Sequence, residues 1–244
     1  MTPITQEDWE YLEAEFGTPH NAITPTDADY ARFAGRVPDA IMEYWRRYGW
    51  CTFTRGRFQL VDPDWYAETL RIWLDATARG RELAARDTYH VIAVSGFGEM
   101  MVWGETTGKA FDTSALQSYI SLMQSDQSDR IEKQGADEVA KSFLFGIYQD
   151  TLDSSDDHGP MYARARKRLG VLEPHEIYGF VPALPAGGTW HADHLQRVSG
   201  PEHLALVAEL APPRVLTFAE LGQAAFGAGA DAIAEVAIRD AGKG

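Results

Sequence analysis

His191, Asp193 and His194 form an H-x-D-H cluster, and His175 and His203 lie close by in the chain. Two imidazoles and a carboxylate can hold Zn²⁺ or Fe²⁺. Positions 191 and 194 could share one helical face, but Gly187-Gly188 precedes them and leaves the helicity of the segment open. No fourth ligand or catalytic base is identified, as there is in H-E-x-x-H. Surface or helix-capping histidines are the commoner reading, so no metal and no other cofactor is expected. A metal-dependent hydrolase using these three residues is the alternative. Other nucleophile patterns are weaker. Cys51 sits in an aromatic, strand-like run, as a small buried hydrophobe does. Ser95-Gly96-Phe97-Gly98 is not a G-x-S-x-G elbow, and its glycines are followed by no phosphate-binding Lys.

The elements that would position these residues follow from composition and pattern. The 244 residues are 45% apolar and include seven Trp, enough for a real core in one large domain or two small ones. One Cys allows no intramolecular disulfide and suits a reducing compartment. The first residues lack the basic and apolar segments of a secretory signal. No apolar run approaches the ~20 residues of a membrane span. A cytoplasmic protein is expected. Its net charge of −14 argues against nucleic acid or an anionic membrane as direct partner and favours a basic protein.

Thr5 and Asp8 suggest a capping box before a short helix with Trp9, Leu12 and Phe16 on one face and Gly17 at its end. A second helical piece is expected at 27–33. Pro38 suits a first helical position, ahead of Ile41, Tyr44, Trp45 and Tyr48 at helical spacing and Gly49 as the stop. Two β-rich runs flank Arg55-Gly56 as a hairpin, and Pro63 opens a helix burying Trp65, Leu70, Trp73 and Leu74. Tyr89–Ser95, Glu99–Trp103 and Ala110-Phe111 read as a three-stranded antiparallel meander.

Residues 112–157 hold ten acidic side chains against three basic ones, a net of −7. Within them Val139, Phe143, Leu144, Ile147 and Tyr148 suggest a helix with a buried face. Asp153, Asp156 and Asp157 stand among Ser and Gly in a loop and are expected to be exposed. Pro160 starts a basic helix that closes at Gly170. A short strand over 177–181, a Gly187-Gly188 turn and a helix over 203–210 follow. Tyr178, Phe180 and Trp190 are expected in the core, with Trp45, Trp50 and Trp65. Thr217 and Glu220 form another capping box, in a tail that ends weakly helical and frayed.

Two constellations resemble a known family. Pro38, Tyr44, Trp45, Gly49, Gly56, Phe58, Asp62 and Pro63 resemble the GAD-like domain. Gly170, Leu172, Pro174, Glu176, Tyr178, Gly179, Phe180, Pro182, Leu184, Gly187 and Gly188 resemble the C-terminal domain of Tdi-type immunity proteins against DNase effectors of the type VI secretion system. The resemblance implies an α+β fold: a GAD-like domain with helices and an antiparallel sheet (1–112), a smaller α+β immunity domain (113–213) and a C-terminal extension (214–244). It implies no catalysis, and binding to the basic nuclease domain of a cognate DNase toxin. Carboxylates in the acidic segment could compete with DNA for that domain and speed encounter. Asp126, Asp129, Asp150, Asp153, Asp156 and Asp157 are the candidates. The bland reading of the same run is a solvated face, and an adaptor in a cytosolic complex is a further alternative.

Overall fold

The computed structural model describes residues 4–53, 57–122, 126–145, 147, 152–217 and 219–220. Helix α1 (Gln6–Phe16), strand β1 (Pro19–Ile23), and helices α2 (Asp27–Phe33) and α3 (Asp39–Tyr48) come first. Thr5 with Asp8, and Thr26 with Asp29, form reciprocal capping boxes. In each, the hydroxyl accepts one free helix-end amide and the carboxylate another. Pro38 stands one position earlier than expected, as the N-cap of α3. Strands β2 (Trp50–Phe53) and β3 (Phe58–Leu60) are the arms of the hairpin, whose Arg55-Gly56 turn lies outside the described residues. Asp62 caps α4 (Pro63–Asp75), with Pro63 in the first turn where no N–H is needed. Helix α5 (Ala78–Arg86) buries only Gly80, so it shows no apolar stripe in the sequence.

β4 (Tyr89–Ser95) and β5 (Met100–Gly104) pair antiparallel. The third strand starts two residues later than expected. Phe111 is turned into the core against Tyr89, and pairing begins at Asp112. β6 (Asp112–Ser114) and β7 (Tyr119–Leu122) then extend the antiparallel meander. α6 (Ser128–Gln134) and α7 (Ala136–Ala140) follow. The helix expected through residue 148 stops at Ala140, and residues 141–145 are turns. Val139, Phe143, Leu144 and Ile147 are still buried, because the segment lies across α3. There Asp137 accepts from the Ala40 amide at 3.0 Å, and the Tyr44 hydroxyl donates to the Lys141 carbonyl. Tyr148 lies outside the described residues.

A two-residue hairpin, β8 (Ser155–Asp156) and β9 (Gly159–Pro160), leads into α8 (Met161–Leu169), closed by Gly170. β10 (Glu176–Phe180) pairs antiparallel with β11 (Leu195–Ser199). Between them run two single-turn 3₁₀ segments, 184–186 and 192–194. β11 is mostly exposed, so hydrophobic patterning does not reveal it. α9 (Gly200–Leu210) and β12 (Arg214–Thr217) complete the described chain, with Thr217 and Glu220 bonded as a capping box. The tail from 221 onward lies outside the described residues.

β1 to β7 and β12 form one sheet in the order β1-β2-β3-β4-β5-β6-β7-β12. β12 joins it parallel to β7. One face packs on α1, α3 and Val139, Phe143, Leu144, Ile147 and Leu152 through Ile92, Ala93, Met101 and Trp103. The other packs on α4 and α9 through Val91, Val94, Met100 and Val102. This two-sided cover explains why β4 and β5 are buried almost without alternation. A register shift between Val91 and Ala93 puts Ile92 and Ala93 on one side together, as a bulge does. A third core, around Met161, Tyr162, Tyr178, Phe180 and Leu195, lies in the C-terminal part and takes in Phe97 from the β4–β5 turn.

The two parts join through backbone-directed bonds. Gln59 in β3 is 2% exposed. Its amide accepts from the His175 N–H at 2.8 Å and donates to the Glu176 carbonyl at 2.7 Å. Beside it the Tyr178 amide donates to the Gly96 carbonyl at 2.8 Å. From α4, Thr69 and Trp73 donate to the carbonyls of Pro201 and Leu204 at 3.0 and 2.9 Å. At Gly98 (φ +90°) a Cβ would meet Leu204 at 2.6 Å, so the turn needs glycine for conformation and for space. Gln59→Leu removes the partner of the buried His175 N–H and of the partly buried Glu176 carbonyl. It should lower unfolding stability by about 1–3 kcal/mol, measured by urea titration; an unchanged midpoint would show that the clip contributes nothing.

Candidate functional site

The acidic segment does not form one solvated face. Asp129 is exposed in the first turn of α6. Asp126 is partly exposed, accepts from the Ser128 amide at 2.8 Å and pairs with Arg86. Asp150 lies outside the described residues. Asp157 is exposed, with 75% of its side chain open. Asp153 and Asp156 are not exposed, contrary to the sequence expectation. The Asp153 side chain is 7% exposed, lies 3.4 Å from Arg57, and accepts from the Ser154 and Tyr162 amides at 2.8 and 2.9 Å. The Asp156 side chain is 1% exposed. It pairs with Arg164 and accepts from the His158 and Ala192 amides at 2.8 and 2.9 Å. Ser and Gly mark the loop, but the free amides of a tight loop need acceptors, and these two carboxylates supply them.

The Arg164 hydrogen bond, with help from the two amides, holds the Asp156 carboxyl well below the usual carboxylate range. Its contribution to stability is present above the carboxyl's ordinary range and is lost only as pH falls through the depressed value. Asp156→Asn should therefore lower the melting temperature at pH 7, while Asp157→Asn should leave it unchanged. Equal effects in a thermal melt would contradict the division between structural and free carboxylates.

The histidines also separate. His191 caps the 192–194 turn, its Nδ1 accepting from the Asp193 amide at 3.2 Å and lying 3.6 Å from the Asp193 carboxylate. His194 is exposed. The Nε2 of His191 faces Asp157 at 3.8 Å rather than His194, with the His158 ring 5.1 Å away. His175 is buried, takes a positive φ of 67° and stacks on Trp65. Burial lowers its pKa to about 4, so it stays neutral at pH 7. Cys51 is buried, and burial pushes its thiol up to about 12, an inert state. The Ser95 hydroxyl accepts from the Phe97 and Glu99 amides at 3.3 and 3.0 Å and so closes the β4–β5 turn.

Glu99, in that turn, is pushed up to about 7, chiefly by burial and further by nearby Asp112; the Ser95 bond opposes this. Between the ordinary carboxyl value and about 7 the folded chain keeps a proton that the unfolded chain has released. Stability tied to Glu99 thus falls as pH rises through that window. Glu99→Gln should gain stability relative to the parent as pH goes from 5 to 8, read from urea midpoints at each pH. A difference that does not change with pH would show that Glu99 ionises normally.

Sequence reasoning missed one surface. α4 and α9 lie side by side over the sheet, and their outward sides carry Trp65, Leu206 and Leu210, which are 53%, 45% and 47% exposed. The same two helices carry exposed Asp64 and Glu68, paired with Arg32 at 3.1 Å and Arg71 at 2.5 Å, and exposed Glu202 and Glu209. Trp65, expected in the core, points outward from the first turn of α4. Trp190, also expected there, is 38% exposed, stacks on Phe180 and donates to the Ser155 carbonyl at 2.8 Å. Trp45, Trp50, Tyr178 and Phe180 are buried as expected. The helical spacing of α4 signals which side is buried but does not say that Trp65 falls at its margin.

The fold is thus an α+β unit whose large sheet is continuous with a smaller C-terminal part. The chain matches the GAD-like domain over residues 8–117 and the T6SS immunity protein Tdi1 C-terminal domain over residues 137–211. It is therefore of the GAD-like, Tdi1-type class, with one domain of each kind in that order. No curated protein sequence matches it. The crystal structure of Atu4351 from Agrobacterium tumefaciens is similar, with a TM-score of 0.65 and 20% identity over 86% of this chain and 92% of that one. At that identity the likeness is one of fold. No described helix is long and apolar enough to cross a membrane.

Proposed function

We propose that this protein is a non-enzymatic immunity protein of the cytoplasm that binds a cognate type VI secretion effector, a DNase, and protects the producing cell from it. The Tdi1-type C-terminal domain carries this reading. The net charge of −14 supports the class of partner. A DNase must hold phosphates and so presents a basic cleft. Exposed carboxylates at Asp129 and Asp157, and at Glu202 and Glu209 on α9, suit such a cleft. Apolar anchors within a polar rim are the usual make-up of a tight protein interface. Asp153 and Asp156 enter only indirectly, by shaping the loop that presents Asp157. Charge complementarity favours occlusion of the cleft over prising apart the nuclease fold.

Co-expression should rescue cells from the cognate DNase effector, and the purified chain should capture that effector. Asp129→Lys with Asp157→Lys should slow association several-fold at low salt and much less at high salt. Absence of both rescue and capture would remove the immunity reading. Capture with an unchanged, salt-insensitive rate would remove only those two carboxylates from the interface.

A further inference from the structure

We propose that Asp157, His158 and His191 form a surface site for a divalent transition metal ion of the Zn²⁺ class. Among the described residues, one ligand atom from each of the three lies within 4.8 Å of the other two. The Asp157 carboxylate is 3.8 Å from His191 Nε2 and 3.9 Å from His158 Nε2. The two imidazole rings meet edge to face at 88°. Zn²⁺ bonds of about 2.0–2.2 Å bring ligand atoms to roughly 3–3.5 Å of one another. Asp157 and His158 have side chains 75% and 64% exposed, so both are free to rotate the short distance needed.

The surroundings hold the ligands in place. Asp156 accepts from the backbone amide of His158 and from that of Ala192, the residue after His191. One buried carboxylate thus ties the two ligand-bearing segments together, and Arg164 balances its charge. Asp157 and Asp193 add negative charge beside it, and both also interact with the Arg164 guanidinium. The Asp193 carboxylate lies 3.6 Å from His191 Nδ1. Metal-bound histidines characteristically donate their second N–H to such a carboxylate. On binding, the His191 proton moves from Nε2 to Nδ1, the Asp193 carboxylate replaces its own amide as the partner, and Nε2 is free for the metal. Two imidazoles with one carboxylate favour Zn²⁺, Ni²⁺ or Cu²⁺ over Mg²⁺ or Ca²⁺. Three protein ligands leave a coordination position open. His194 takes no part, so the site differs from the H-x-D-H cluster visible in the sequence.

Protein purified without a polyhistidine tag and stripped with EDTA should bind one equivalent of Zn²⁺ in competition with a chromophoric chelator. Its melting temperature should rise on loading, because ligand bound to the folded state stabilises it. His191→Ala should abolish binding. His158→Ala and Asp157→Asn, both on the exposed turn where the fold tolerates change, should each weaken it at least tenfold, and His194→Ala should bind as the parent does. Failure of the parent to bind one equivalent, or unchanged affinity in His158→Ala, would overturn the site.

Discussion

The structure depends on one buried constraint, the way in which Gln59 satisfies the backbone at His175 and Glu176. The His175 amide is buried and the Glu176 carbonyl partly so, and a buried backbone group needs a protein partner. A central strand of the large sheet supplies both from one amide side chain. The consequence is structural continuity. α9 packs on α4, Ile177, Leu204 and Val207 enter the same core as Val91 and Trp73, and β12 returns to pair with β7. The GAD-like and Tdi1-type parts therefore share apolar surface, and a partner that grips one part meets a body stiffened by the other.

Electrostatics divides along the same line. The carboxylates of residues 112–157 do two jobs. Asp137, Asp153 and Asp156 saturate backbone amides and arginines inside the fold. Asp129, Glu132 and Asp157 are exposed, as is Glu138, which pairs with Lys141 at 2.6 Å. A buried carboxylate without donors would be costly; Asp156 meets Arg164 and two amides, and Asp153 meets two amides with Arg57 3.4 Å away. The exposed group keeps its charge at the surface, where it steers association over a distance set by salt. The surface acidity of the molecule thus rests on fewer residues than its composition implies, and α4 and α9 contribute a share of it.

Much of the local structure was legible in the sequence, because capping boxes, Pro at helix starts and Gly at helix ends act within a few residues. α1, α2, α4 and α8 follow from those signals, and β4 from its short run rich in β-branched residues. The failures have physical causes. α5 lacks an apolar stripe, β11 is mostly exposed, and β12 is held by a parallel neighbour far away in the chain. The segment after Ala140 has helical spacing, yet its contacts with α3 bend it into turns. In α5 and β11 there is no periodicity to read, and after Ala140 packing overrides it.

The sequence by itself determined the kind of protein. The Tyr44-Trp45 to Gly49 and Gly170 to Gly188 patterns specify turns and cores that only particular residue types can fill, and they mark both domains. It also determined that Cys51 is unreactive in character, since a lone cysteine in an aromatic strand is buried. Only the tertiary structure decided which charges are free and which histidines meet. Asp153 and Asp156 look like loop acids until the amides around them are in view. His191 sits three residues from His194 but faces His158, thirty-three positions away, because a turn's geometry and a shared carboxylate, not spacing along the chain, decide where a side chain points.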